Sequence, residues 1–180
     1  MLRLFFVAAV VLTAPVAKAA QVDDAAAVEI ATPRETITAG DLGSGKLAEL
    51  KVTADAFYGF WSNGSQVLLN KAISANFVDH TLPSGRPQGP TGPAAASKQF
   101  LAAVPDLKTE VLQRIIVGDR VVSHLHFTGR FTGTFMDRQG NGEAVDFIAT
   151  DILRIVDGKI TDNWHIEDNL TFLQQVGVIQ

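Results

Sequence analysis

The sequence predicts an α+β fold in which three N-terminal helices pack on one face of a curved antiparallel sheet. Two observations carry this prediction. Helical periodicity of apolar residues dominates residues 46–104, whereas alternating, strand-like patterns dominate residues 107–168. The dipeptides Gly118-Asp119 and Asp157-Gly158 each separate two long strand-like segments, as expected for hairpin turns. A curved sheet covered by helices encloses a cavity, and such cavities are typical ligand sites.

Three helices are predicted before the strands. The first covers residues 46–61, where one apolar stripe consists of Leu47, Leu50, Ala54, Phe57 and Trp61. Ser65 is in a position to cap a second, short helix over residues 65–73. A loop rich in Pro and Gly, residues 83–93, separates a short extended piece from the third helix, residues 94–104.

Four long antiparallel strands follow, and they are predicted over residues 107–117, 120–135, 144–156 and 159–168. The chain closes with a short helical turn that begins near Asn169. Glu167 and Asp168 directly precede this turn, and Asp before a short helix is a common N-cap. We therefore predict that these two acidic residues cap the turn, with a direct role of Asp168 in the cavity as the alternative.

The N-terminal segment has the layout of a secretory signal peptide. Arg3 precedes an apolar run from Leu4 to Leu12, and the segment ends in the small-x-small pattern Ala17-Lys18-Ala19. The run is too short for a membrane anchor, which needs about 20 apolar residues. We therefore predict a signal peptide over residues 1–19 that is cleaved near Ala19, and a protein that is exported to a periplasm or secreted.

Residues 20–45 mix Ala, Thr, Asp and Gly without a sustained period, and they are predicted to form a flexible linker. The remaining residues, 46–180, form one predicted domain, which suits the 180-residue length. Net charge is −4, so a nucleic-acid partner is not expected. The chain has no cysteine, which excludes disulfides, thiolate metal sites and a cysteine nucleophile.

Seven short motifs carry a resemblance to a known family. In order along the chain they are FYGFW, FVDHTLPSG, VPDL, GDRVV, FTGTF, DILRIVDGKITDNW and LQQVGVI. Together they resemble the SnoaL-like polyketide cyclases, also called ester cyclases, of the nuclear transport factor 2-like (NTF2-like) superfamily, over residues 47–180. The resemblance implies a cone-shaped α+β barrel, a homodimer and a cofactor-free acid/base site in the cavity. It also implies ring closure by intramolecular aldol condensation in the characterised cyclases.

These expectations give one leading function and two alternatives. The leading function is a cofactor-independent cyclase, isomerase or hydrolase that acts on a small hydrophobic carbonyl compound. The first alternative is a non-catalytic protein that binds an apolar small molecule, which export favours because polyketide assembly is cytoplasmic. The second is a structural dimerisation module with a filled core.

The resemblance also selects Asp151 and His165 as the acid/base pair. Family members commonly place an Asp after the Trp of the last strand, where this chain has His165. The characterised cyclases have a His at the position that aligns with Asp151, so the pair occurs here with its places exchanged. An aldol ring closure needs a base beside a carbonyl and a donor for the oxyanion, and Asp and His suit both tasks.

The turn at Asp157-Gly158 decides whether this pair meets. A two-residue loop places Asp151 opposite Trp164, with His165 on the other face of the sheet. A three-residue loop with a bulge at Gly158 places Asp151 opposite Asn163, with His165 one step along the same face. Apolar matching favours the two-residue loop. We predict the bulged loop, because the resemblance requires the pair to share a face.

Further candidates for contact with a substrate are His80, Trp61, His126 and Asp168. His80 precedes the Pro-Gly loop, where matching family positions lie at the cavity, and its alternative role is bonding of loop backbone. Trp61 ends the first helix and is predicted in the cavity wall or core. His126 shares a strand face with His124. With no third ligand evident, no metal site is predicted, and an outer or dimer face explains the two histidines as well.

Overall fold

The structure is a computed structural model that describes residues 21–180. Its helices are α1 (Asp24–Ile30), α2 (Ser44–Asn63), α3 (Gln66–Ala72), α4 (Thr91–Ala103) and α5 (Asn169–Gln175). Its strands are β1 (Thr36–Ala39), β2 (Ile73–Asp79), β3 (Lys108–Val117), β4 (Arg120–Phe131), β5 (Thr134–Phe135), β6 (Arg138–Gln139), β7 (Glu143–Val156) and β8 (Lys159–Glu167). The predicted signal peptide, residues 1–19, lies outside the described residues.

Six of these strands form one sheet in the order β1-β3-β4-β7-β8-β2. The four long strands are antiparallel neighbours, joined by the two predicted hairpins and a longer connection from β4 to β7. The edge strands β1 and β2 run parallel to β3 and β8. The α+β prediction is confirmed, and the curved sheet remains open at β1 and β2.

The first two predicted helices form where the sequence indicates. α2 ends at Asn63, and the C-cap residue Gly64 adopts the left-handed conformation (φ 70°) and donates its backbone N–H to the Phe60 carbonyl. Ser65 then caps α3, and its hydroxyl accepts from the Leu68 N–H. Thr53 of α2 donates its hydroxyl to the Gly158 carbonyl at 3.0 Å, which holds the turn between β7 and β8 against the helix.

The prediction of a flexible linker over residues 20–45 is wrong where α1 and β1 lie within it. Ala27 of α1 is fully buried, and the β1 backbone pairs with β3. All four β1 side chains are exposed, so the strand is held by backbone hydrogen bonds without any apolar alternation. Hydrophobic periodicity therefore cannot reveal it.

The sheet has one buried face and one exposed face. Phe127 of β4 and Phe147 and Leu153 of β7 point from the buried face towards the helices. Isoleucines at 148, 152 and 166 lie on the opposite face and are exposed. The predicted strand 120–135 is shorter in the structure, because β4 ends at Phe131 and a separate two-stranded hairpin follows.

α5 packs against β7, and Asp168 is its N-cap residue. The Asp168 carboxylate accepts hydrogen bonds from the N–H and the hydroxyl of Thr171, as predicted for an N-cap. Glu167 does not cap this helix; its carboxylate points to His165 instead. Within residues 21–180, none of the helices has the length and hydropathy that crossing a membrane would require.

Candidate active site

A cavity lies between the buried face of the sheet and the helices. Aromatic side chains form most of its apolar wall, namely Phe57, Trp61, Phe77, Phe100, Phe127 and Phe147. Polar side chains gather at one end: Asp79, Arg86, Asp151, Asn163, His165 and Glu167. The volume open to a water-sized molecule is about 30 Å³. Pockets that bind drug-sized ligands measure roughly 300–1,000 Å³, so the side chains must move apart before such a ligand enters.

Asp151 on β7 and His165 on β8 are direct cross-strand partners on the buried face. The turn has two residues, Asp157 and Gly158, both with positive φ, and Val156 faces Lys159. The register then shifts between Ile155 and Arg154. The extra residue on β8 is Thr161, since Ile155 pairs with Ile160 and Arg154 with Asp162.

The predicted three-residue loop is therefore wrong, and so is the predicted pairing of Asp151 with Asn163. The structure nevertheless combines apolar pairing near the turn with a shared face for Asp151 and His165. The two-residue turn matches Ile155 with Ile160, and the bulge at Thr161 then places His165 beside Asp151. A bulge away from the turn has no Gly or Pro to indicate it in this sequence.

His165 lies between two carboxylates. Its Nε2 is 3.1 Å and 3.0 Å from the two carboxylate oxygens of Asp79, and its Nδ1 is 2.8 Å from Oε1 of Glu167. A neutral imidazole has one N–H, whereas an imidazolium has two and satisfies both carboxylates. Burial alone lowers the pKa of His165. The hydrogen bond and charge of Glu167, the hydrogen bond of Asp79 and the charge of Asp151 outweigh burial and raise the pKa to about 9.

Asp151 is buried in the middle of the sheet. Burial raises the pKa of its carboxyl group to about 7, although the positive charge of His165 works in the opposite direction. Tyr58 of α2 is fully buried nearby, and burial together with the charge of Asp151 raises the pKa of its phenol well above its usual value. A carboxyl group with a pKa near 7 is suited to accept and return a proton at neutral pH.

A buried polar row leads across the sheet to this pair. Arg114 of β3 is the cross-strand partner of Ser123, and Ser123 is the partner of Asp151. Arg114 is fully buried, and its Nη1 donates to Asp55 at 2.7 Å. Its Cζ lies 5.8 Å from the centre of the Tyr58 ring. The row places one buried cation two strands away from the Asp151 carboxyl group.

Two of the predicted substrate contacts lie outside the cavity. The ring of His80 stacks on Trp164 at 4.3 Å, and its Nε2 bonds Asp162 at 2.8 Å, on the outer face of β8. His126 bonds Asp146 at 2.8 Å, also on the outer face of the sheet. Successive side chains of a strand point to opposite faces of the sheet. Asp151 therefore points into the cavity, whereas Asp146, Asp162 and their histidine partners lie on the outer face.

Asp168 is also directed away from the cavity, since Thr171 holds its carboxylate at the start of α5. The predictions of His80, His126 and Asp168 as cavity residues are corrected accordingly. Trp61, by contrast, lines the cavity as predicted, and its ring makes an edge contact with Phe100. Residues 21–180 contain no cluster of three or more His, Asp or Glu residues with the geometry of a metal site.

Three charged residues at the polar end were not predicted as cavity residues: Asp79, Arg86 and Glu167. A signal for Asp79 was present in the FVDH motif, because alternation along β2 places Asp79 on the same face as the buried Phe77. Glu167 likewise follows His165 at the spacing of one strand face. Arg86 comes from the loop between β2 and α4, whose path the sequence does not specify.

The fold and the cavity together define a small α+β protein with an aromatic pocket and buried acid/base groups at one end. The model of the SnoaL-like polyketide cyclase family matches residues 51–176. The chain therefore belongs to this family, with its NTF2-like fold.

Solved structures agree with this assignment. A Bacillus cereus protein assigned as a polyketide cyclase is 39% identical, with 84% of this chain and 96% of that chain covered and a TM-score of 0.77. IdmH from Streptomyces antibioticus, also assigned as a polyketide cyclase, is 25% identical (71% and 98% covered, TM-score 0.64). TsrD from Streptomyces laurentii is 22% identical (77% and 100% covered, TM-score 0.66) and supports the fold alone. The comparison with curated proteins gives no match.

Proposed function

We propose that this protein is a cofactor-independent acid/base enzyme that acts on a small hydrophobic carbonyl compound as a cyclase, isomerase or hydrolase. The observation that carries the proposal is the position of Asp151 beside His165 at the polar end of an aromatic cavity. Membership of the SnoaL-like polyketide cyclase family supports a reaction of the cyclase or isomerase type.

In the proposed reaction, the Asp151 carboxylate removes a proton from the carbon next to the substrate carbonyl group. The positive charge of His165 stabilises the negative charge that develops on the carbonyl oxygen, and its N–H supplies a hydrogen bond. For cyclisation, the resulting enolate attacks a second carbonyl group in the same molecule, and the alkoxide that forms takes the proton from Asp151. For isomerisation, Asp151 returns the proton to a different carbon of a conjugated enolate. Aromatic walls exclude water and keep the buried charges effective.

The test is proton exchange, which needs no knowledge of the natural substrate. Purified protein is incubated in D₂O with a panel of aromatic ketones and esters that includes acetophenone, and deuteration next to the carbonyl group is followed by NMR. We expect deuteration faster than in buffer. Asp151→Asn is expected to lose it by roughly 100-fold or more, the usual contribution of a general base. Equal rates in the variant and the native protein would remove Asp151 from the reaction.

A second candidate function is non-catalytic binding of an apolar small molecule, which the six aromatic residues of the cavity favour. Mass spectrometry of an organic extract of the purified protein separates the two candidates. A stoichiometric, chemically unchanged ligand together with no proton exchange supports binding.

We further propose that the protein is exported, to a periplasm or the medium, and forms a homodimer. The N-terminal segment supports export through its signal-peptide layout. The exposed isoleucines on the outer sheet face support a dimer, because such an apolar surface is suited to contact a second copy.

A further inference from the structure

The two carboxylates that hold His165 are themselves held very differently. Asp79 is fixed on several sides. Its Oδ1 accepts the backbone N–H of Thr81 at 2.9 Å, and the Thr81 hydroxyl in turn accepts the N–H of His165 at 2.8 Å. Gln88 brackets the Asp79 backbone, accepting from its N–H at 2.8 Å and donating to its carbonyl at 2.9 Å. Hydrogen bonds from the loop that follows β2 thus hold Asp79 in place beside His165.

Glu167 has no comparable support. Besides His165, its carboxylate has only a long contact of 3.4 Å with the side-chain amide of Asn169 among the described residues. Its side chain is 19% exposed, against 6% for Asp79. Glu167 is also the last residue of β8, where strand pairing ends. Of the two partners of His165, Glu167 is the one that can move with the loss of only one further contact, the long one to Asn169.

This asymmetry matters because an imidazolium whose two N–H groups both donate to carboxylates has no proton left for a substrate. One carboxylate has to withdraw before His165 can meet a carbonyl oxygen. We propose that Glu167 is an exchangeable partner of His165: a substrate carbonyl oxygen replaces its carboxylate at the Nδ1–H, while Asp79 remains at Nε2 and keeps the imidazole charged. This proposal rests on the proposed function, in which His165 meets the oxyanion.

The charges around His165 specify the class of the incoming group. Asp79, Asp151 and Glu167 face the imidazole from β2, β7 and β8, and Tyr58 faces Asp151 from α2. Arg86 also lines the cavity, and its positive charge already acts on Glu167. The displaced carboxylate therefore moves towards Arg86. An anionic ligand would meet two further carboxylates, so the site selects an uncharged ketone or ester.

The test is a binding titration of the native protein and variants with acetophenone, followed by the ¹⁵N NMR signals of the His165 imidazole, which are assigned from their loss in His165→Gln. In the native protein, acetophenone is expected to shift the Nδ1 signal and to leave the Nε2 signal in place. Glu167→Ala removes the competing carboxylate, and we expect it to lower the Kd about tenfold. Glu167→Gln, a weaker competitor of equal size, is expected to fall between the two.

Asp79→Asn serves as the opposite case, because it weakens the fixed partner and is expected to raise the Kd at least tenfold. Glu29→Gln, an exposed acid on α1, is the control with the same loss of charge and is expected to leave the Kd unchanged. Thermal unfolding followed by circular dichroism verifies that each variant is folded. Benzoate, an anion of similar shape, is expected to bind more weakly than acetophenone.

An unchanged or higher Kd in Glu167→Ala, a shift at Nε2 instead of Nδ1, or no acetophenone binding in any variant would each overturn the exchange. Tighter binding of benzoate would overturn the ligand class. These readouts measure binding, whereas the proposed function is tested by proton exchange in Asp151→Asn. The failure of one is therefore distinguishable from the failure of the other.

Discussion

Asp151 and His165 are opposed across neighbouring strands and enter the same cavity, yet their surroundings push them towards different protonation states. Burial raises the pKa of Asp151 to about 7, and two carboxylates hold the pKa of His165 at about 9 in spite of its burial. Between these values Asp151 is a carboxylate and His165 is an imidazolium. A base and an acid therefore coexist at the polar end of the cavity, in the forms that the proposed reaction needs.

The rate of proton exchange should consequently depend on pH in a defined way. Activity is expected to rise as Asp151 loses its proton near pH 7 and to fall as His165 loses its proton near pH 9. The measurement is the rate of ketone deuteration from pH 5 to pH 10, corrected for the buffer reaction. A profile without a limb near pH 7 would exclude Asp151 as the base.

Stability should fall as pH rises from 6.5 to 9. The folded-state pKa of His165 lies above its ordinary value of 6.5, so the stabilisation from its protonation is fully present below pH 6.5 and disappears as pH rises through about 9. Urea unfolding at pH 6.5 and pH 9 measures the difference. His165→Gln should reduce the fall, whereas His126→Gln, on the outer face, should retain it; equal falls in all three proteins would contradict the assignment.

Breaking the buried pair of Arg114 and Asp55 should be costly. Arg114 is fully buried, and its Nε and Nη2 have no hydrogen-bond partner among residues 21–180, so Asp55 is its main source of compensation. Asp55→Ala is expected to lower the free energy of unfolding by about 3 kcal/mol, because a buried charge is left uncompensated. Urea unfolding measures this loss. Asp41→Ala, in an exposed loop, is the control, and a similar effect there would contradict the burial argument.

The proposed dimer can be tested on the outer sheet face. Ile166 on β8 is 76% exposed, and a lysine there introduces charge into the apolar surface without touching the core. Ile166→Lys is expected to give a monomer by size-exclusion chromatography with light scattering, while the native protein is a dimer. Val67→Lys, at a similarly exposed position on α3, should leave the dimer intact. A monomeric native protein would refute the proposal directly.

Much of the fold follows from local signals in the sequence. The apolar stripe of α2, the cap at Ser65 and both hairpin turns predict the order of the main helices and strands, and the structure confirms them. α1 and β1 were not predicted, because their apolar residues show no helical or strand-like period. Ala27 is small, and β1 buries none of its side chains. The segment is ordered because α1 packs against α2 and the backbone of β1 pairs with the edge of β3.

The site was predictable only in part, because its geometry depends on contacts between distant segments. Asp151, His165 and Trp61 were reachable from motif positions and helical spacing. The bulge at Thr161 could not be predicted from local sequence signals, because it results from two pairings along the strand: the apolar pairing near the turn and the pairing of Asp151 with His165 in the cavity. His80 was predicted at the cavity because matching family positions lie there, but in the same motif it is Asp79 that points inward and bonds His165.

The pairing of β1 with β3 has a practical consequence for anyone who expresses shortened versions of this chain. A version starting at Lys46, the predicted domain boundary, would lack both α1 and β1 and would leave unpaired the edge of β3 that β1 covers. Unpaired strand edges recruit strands from other molecules. Such a version is expected to form soluble aggregates, whereas one that starts near Gln21 retains the covering strand.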